Sequence, residues 1–215
     1  MAARTPGAAR HYGTLDSVAK KPQLAPLRIT GLWDDGYALD LHTTGADFLG
    51  FDQFGHPQFD THYTELGGLL HKLKYGGDLS GAPRLAAAAA EFVRAWNVGV
   101  EVIIPVPPSR LRAAQPLVDV ARRLAAELDL ELDTETLMKT RETPQLKSVD
   151  DYAKRLELLA GTFAVAGTAM NGRRVLLFDD LFRSGATLNA ITKTLKDSRA
   201  AAVFALTLTR TRSRS

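Results

Sequence analysis

The chain contains no cysteine. Disulfides and thiolate metal sites are therefore excluded, and a reducing, cytoplasmic setting is the expectation. No apolar run approaches the roughly 20 residues that a membrane-spanning helix needs. Aromatic residues make up only 7% of the chain, so Leu, Val, Ile and Ala must supply most of the core. Neither sign of charge dominates: 27 Lys and Arg against 24 Asp and Glu leave a formal +3. That balance suits an anionic small molecule and permits weak contact with nucleic acid, but demands neither. Two common phosphate signatures are missing, Gly-x-x-x-x-Gly-Lys and Gly-x-Gly-x-x-Gly. What remains is ordinary globular composition over 215 residues, 45% hydrophobic and 24% charged. Such a chain can bury a sizeable core as one domain.

Residues 1–27 read as a disordered leader, with Arg4, Arg10, Lys20 and Lys21 against the single acid Asp16. A transit peptide is the other reading, and no signal-peptide core is present. Residues 28–97 read as a β-rich region followed by helices. Ile29–Trp33 and Tyr37–Leu41 are expected as strands around a turn at Asp34-Asp35-Gly36. Phe48–Phe51 is expected as a third strand, before Gly55-His56-Pro57 breaks the chain. Leucines at 66, 69, 70 and 73 predict a helix over 64–74, and Pro83 opens another that runs to Trp96. Residues 98–210 then alternate strands with helices: strand 100–106, helix 116–128, helix 149–160, strand 163–165, strand 175–178, helix 186–196 and strand 201–209. Residues 211–215 form a basic tail. This alternation predicts an α/β fold with a mostly parallel sheet covered on both faces. In such sheets ligands sit beyond the C-terminal ends of the strands.

The informative segment is the strand Val175–Phe178, followed by Asp179-Asp180, then Leu181 and Phe182, then Arg183-Ser184-Gly185-Ala186-Thr187. Two adjacent carboxylates gain nothing in a core. At a strand end they are expected to point into a crevice and accept hydrogen bonds from vicinal hydroxyls. The following helix start offers unpaired N–H groups and partial positive charge to a phosphate. Gly185 allows close backbone approach, and Ser184 and Thr187 add hydroxyls. Diol and phosphate recognition thus lie a few residues apart, as a ribose 5-phosphate requires.

This run resembles the phosphoribosyl pyrophosphate (PRPP) motif of type I phosphoribosyltransferases. The resemblance implies that fold, a twisted, mostly parallel sheet with an N-terminal hood. It implies that Asp179 and Asp180 take the ribose hydroxyls and that Leu181, Phe182, Arg183, Ser184, Gly185, Ala186 and Thr187 form the 5-phosphate loop. It implies Mg²⁺ carried by PRPP rather than held by protein ligands. Ile103-Ile104-Pro105-Val106-Pro107-Pro108-Ser109-Arg110 resembles the pyrophosphate loop of the ComF (competence protein F) branch, with Val106 to Arg110 as the loop itself. Lys139, Arg141 and Gln145 fall in a stretch that resembles that branch's flexible loop, with Arg155 after it. Leu73-Lys74-Tyr75-Gly76-Gly77 resembles its Lys-aromatic-x-Gly segment. The cysteine zinc ribbon that usually begins those proteins has no counterpart here.

Asp40, His42, Asp47, Asp52, His56, Asp60, His62 and Glu65 crowd one stretch. Imidazole and carboxylate are metal ligands, but the spacing matches no known pattern. A hood that receives the acceptor fits better, with Phe48, Phe51, Phe54 and Tyr63 either stacking a base or forming core. Two functions follow. One is a PRPP-dependent phosphoribosyltransferase of nucleotide metabolism acting on a nitrogenous base or amine, with catalytic Asp179 and Asp180. The other is a non-catalytic PRPP- or nucleotide-binding protein, with a ComF-like role in DNA uptake. The resemblance admits a homodimer, and nothing calls for a membrane.

Overall fold

The computed structural model describes residues 22–108, 115–142 and 151–212. The central sheet has six strands. In chain order these are β1 (Leu27–Arg28), β2 (Asp35–Ala38), β5 (Val102–Pro105), β6 (Glu131–Leu132), β9 (Arg174–Phe182) and β10 (Ala202–Arg210). They lie in the order β1-β2-β10-β9-β5-β6, and every pairing is parallel except that of β1 with β2. Two antiparallel hairpins stand apart: β3 (Thr43–Phe51) with β4 (Pro57–Tyr63), and β7 (Leu137–Lys139) with β8 (Phe163–Val165). The helices are α1 (Glu65–Tyr75), α2 (Ala82–Trp96), α3 (Pro116–Leu128), α4 (Tyr152–Leu159) and α5 (Ala186–Asp197).

Each helix boundary has a local cause. Thr64 caps α1 by accepting from the Gly67 N–H at 2.9 Å. Prolines sit in the first turns of α2 and α3, where an N–H is not needed. Asn97 and Asp129 end those helices in the left-handed conformation.

Period-two alternation along the central strands feeds two cores. Ile103, Leu176, Phe178, Phe204, Leu206 and Leu208 face α1, α2 and α3. Val102, Ile104, Val175, Leu177, Val203 and Ala205 face α5, together with Leu159 of α4 and Phe163 of β8. The sheet is thus buried on both sides, as continuous apolar strands require.

Three expectations need correction. Ile29–Trp33 is no strand, because Trp33 folds back, buries its ring and donates Nε1 to the Ile29 carbonyl at 3.0 Å. Asp35 and Gly36, expected as turn residues, instead begin β2. There the Asp35 carboxylate accepts from Arg28 and from Trp96 Nε1. The break at Gly55-His56-Pro57 is a hairpin turn, since Pro57 starts a strand that pairs with Phe51.

Candidate functional site

β9 runs four residues past its expected end at Phe178. β10 carries it onward by pairing Thr207 with Asp179, Thr209 with Leu181 and Arg210 with Phe182. On the other side β5 stops at Pro105, and its last tie is the Val106 N–H to the Phe178 carbonyl at 2.8 Å. From Asp179 onward the β5-facing edge of β9 has no strand partner among the described residues, and a crevice opens there. It encloses about 470 Å³ of space open to solvent, lined by Asp179, Arg155 and residues 181–188.

Because the strand continues, alternation sends the two acids to opposite faces. Asp179 lines the crevice. Asp180 turns toward α1, where its carboxylate meets Lys74 Nζ at 2.7 Å. The expectation of twin carboxylates aimed into one crevice is corrected in this respect: one peptide separates them, and a lysine already engages the second. That ion pair stays partly open, with the Asp180 side chain 22% exposed.

Burial raises the Asp179 pKa to about 8, helped by the neighbouring Asp180 charge and opposed by the Asp180 N–H and by Lys74. At neutral pH this carboxyl therefore keeps its proton. One oxygen, Oδ1, accepts from the Asp180 N–H at 2.8 Å. The other is left to exchange hydrogen bonds with a hydroxyl in the crevice.

The loop after β9 is shaped by Gly185. Its φ of +74° is left-handed, and a Cβ there would lie 2.9 Å from Phe182 Cε2. No side chain can be added without strain. Gly185 is also the residue before α5, and no side chain caps that helix. The first-turn N–H groups therefore point outward, backed by the helix dipole. Phe182 supports the loop, its ring edge-on to Trp33 at 6.2 Å and 5.8 Å from the Arg210 guanidinium. Arg183 is exposed, and Ser184 and Thr187 are half-buried.

Val106 is buried and Pro107 and Pro108 are half-buried beside the end of β9. Ser109 and Arg110 lie outside the described residues, as does Gln145. Lys139 ends β7. Arg141 does not reach toward the crevice: its Nη2 donates to the carbonyls of Leu158 and Ala160 at 3.1 and 2.9 Å, fastening the end of α4. Arg155, in contrast, joins the crevice wall.

Sequence reading gave no role to two residues that organise this site. Lys74 stood in a quoted segment, but only the fold brings α1 under β9. Asn189 bridges three segments: Oδ1 accepts from the Leu32 N–H at 2.7 Å, and Nδ2 donates to the Tyr152 hydroxyl at 2.7 Å. It thereby sets α4, and so Arg155, against α5. No sequence pattern announces such a contact.

Among the described residues no group of three or more His, Cys, Asp or Glu could hold a metal ion. No described helix is long and apolar enough to cross a membrane. Phe48, Phe51 and Phe54 are not core: they are 54%, 69% and 74% exposed on the β3–β4 hairpin.

No protein-family model matches the sequence, and no curated protein matches it. Among solved structures, the chain is similar to the glutamine PRPP amidotransferase from B. subtilis complexed with ADP and GMP. Identity there is 18% over 60% of this chain and 26% of that one, with a TM-score of 0.43. It is similar to Leishmania donovani UMP synthase at 18% identity over 75% of this chain and 28% of that one, TM-score 0.39. It is also similar to a purine phosphoribosyltransferase from Pyrococcus horikoshii at 20% identity, covering 60% and 82%, TM-score 0.38. The chain spans little more than a quarter of the length of the first two.

Proposed function

We propose that the chain binds PRPP in the crevice beside β9 and transfers its phosphoribosyl group to a nitrogenous acceptor, releasing pyrophosphate. One observation carries this reading. A carboxyl group, an arginine and an uncapped helix N-terminus line the same crevice at the C-terminal edge of a parallel sheet. The 5-phosphate fits the α5 start, where N–H groups and the hydroxyls of Ser184 and Thr187 meet it. Asp179 then meets a ribose hydroxyl, and Asp180 takes the neighbouring one once Lys74 yields. Val106 to Pro108 border the side from which pyrophosphate departs, with Ser109 and Arg110 next in the chain.

The reaction needs little covalent help from the protein. The acceptor nitrogen forms a bond to ribose C1, the C1–O bond breaks, and its electron pair leaves with pyrophosphate. Catalysis is then mainly positioning and charge stabilisation. Mg²⁺ suits this site as a PRPP complex, bound through the pyrophosphate oxygens. It would supply charge neutralisation of the leaving group.

Titration calorimetry with PRPP and Mg²⁺ tests the site. Binding is expected for the unaltered chain and a loss of at least about tenfold in affinity for the Asp179→Ala/Asp180→Ala double variant. Unchanged affinity in the double variant would refute the assignment. A pyrophosphate-release screen across purines, pyrimidines and amines tests the transfer. PRPP binding with no release from any acceptor supports the binding-protein alternative.

A further inference from the structure

The helix α4 is fixed at both ends. Asp151 caps its start by accepting from the Ala153 N–H at 2.8 Å. The Tyr152 hydroxyl, in its first turn, accepts from Asn189 Nδ2 of α5 at 2.7 Å. Arg141 closes the other end through the Leu158 and Ala160 carbonyls. Arg155 follows Tyr152 by three residues, one turn on along the same face of the helix. The bond that pins Tyr152 to α5 therefore also holds Arg155 near the start of α5. Arg155 is half-buried and lines the crevice together with Asp179 and residues 181–188. Chain position groups it with Lys139 and Arg141, whereas the fold groups it with the loop from Leu181 to Thr187.

This arrangement runs against the usual electrostatics of a helix. Cations are favourable at helix C-termini and anions at N-termini. Arg155 instead shares a crevice with the N-terminus of α5, whose first turn contains no acidic residue. The acid that lines the crevice is Asp179, and burial keeps its proton on at neutral pH. A guanidinium and the outward N–H groups of α5 thus converge on one space. That convergence suits a compact, multiply charged anion held between them.

We propose that Arg155 is a specificity-determining residue of this site: its guanidinium takes the ribose 5-phosphate from the side opposite the α5 N–H groups, so that the crevice selects ligands with a terminal phosphate monoester. This rests on the PRPP-binding reading of the crevice. It assigns the arginine to the phosphate that stays with the product, not to the pyrophosphate that leaves. A phosphate monoester carries about −1.5 to −2 charge at pH 7, and the planar guanidinium fork matches a pair of its oxygens. Because α4 holds the arginine in advance, little side-chain freedom is lost on binding. A ribose without the phosphate leaves both the arginine and the helix start without an anion, and binds weakly.

Titration calorimetry with ribose 5-phosphate and with pyrophosphate tests this, the pyrophosphate being added with ribose 5-phosphate saturating so that the loop is filled. Arg155→Gln is expected to weaken ribose 5-phosphate binding at least about tenfold. Its pyrophosphate affinity stays within about twofold of the unaltered chain. Arg155→Lys, which keeps the charge but loses the fork, falls between the two. In the unaltered chain, the Arg155 Nε–H resonance shifts on adding ribose 5-phosphate and not on adding ribose. That measurement stands even if the variants fail to fold. Undiminished ribose 5-phosphate affinity in Arg155→Gln, a loss confined to pyrophosphate, or an Nε–H resonance that ignores ribose 5-phosphate overturns the proposal. If PRPP binding is still lost in Asp179→Ala/Asp180→Ala, the crevice reading survives that outcome. An unaltered chain that binds neither PRPP nor ribose 5-phosphate overturns both.

Discussion

Asp179 is the residue on which pH acts most directly. Its folded pKa is raised to about 8, whereas an unfolded aspartate titrates near about 3.9. The folded state therefore holds this proton more tightly. The stability it confers is full below the unfolded pKa and is lost as pH climbs through the folded one. Asp179→Asn cannot ionise and escapes that loss. Its melting temperature relative to the unaltered chain is expected to rise by at least about 3 °C between pH 5 and pH 8.5. Thermal scans at both pH values check this, and a constant difference would show that the carboxyl ionises normally. Sequence alone marked Asp179 and Asp180 as unusual, because paired acids after an apolar strand have no use in a core. It could not separate their roles. That separation depends on where β9 stops pairing, which is decided by β10, a strand some twenty residues further on.

At the scale of elements, the β9–α5 turn depends on a residue that no other can replace cheaply. Gly185→Ala must hold φ near +74° and bring a Cβ within 2.9 Å of the Phe182 ring. A loss of about 1–3 kcal/mol in unfolding free energy is expected from urea denaturation. PRPP affinity should fall with it, since the outward N–H groups of α5 depend on the same turn. Asn189 makes a different point. Asn189→Ala removes two hydrogen bonds that hold Leu32 and Tyr152, for an expected cost of about 1–3 kcal/mol. Hydrogen exchange in α4 should rise more than in the central strands. Equal effects across the chain would mean that Asn189 does not tie α4 in place. The helices were legible because leucine spacing and the early proline at 83 agree, and the Thr64 cap seen in the structure fits them. The short edge strands were not. Asp35 and Gly36 carry turn chemistry, and only the parallel pairing of β2 with β10, from Phe204 to Thr207, makes them a strand.

At the scale of the molecule, the parallel sheet and its two apolar layers could be read from strand–helix alternation, since Val175–Phe178 and Ala202–Leu206 are continuous apolar runs. The hairpin β3–β4 could not. Its aromatic residues looked equally suited to core or to stacking, and the fold leaves them on the surface. No residue from 43 to 63 belongs to either core. An isolated two-stranded hairpin is marginal in water, and exposed apolar patches mark surfaces that meet something. Thr43 and Tyr63 are cross-strand partners, so residues 44–62 can be replaced by a Gly-Gly link without moving α1 or His42. The shortened chain is expected to melt within about 3 °C of the original, because it loses no buried contact. Its PRPP affinity should stay within about twofold, as the crevice lies on the other face of β9. If the hairpin covers the acceptor, pyrophosphate release should fall at least about tenfold, through KM for the acceptor rather than for PRPP. Unchanged acceptor kinetics would mean that the hairpin serves another surface.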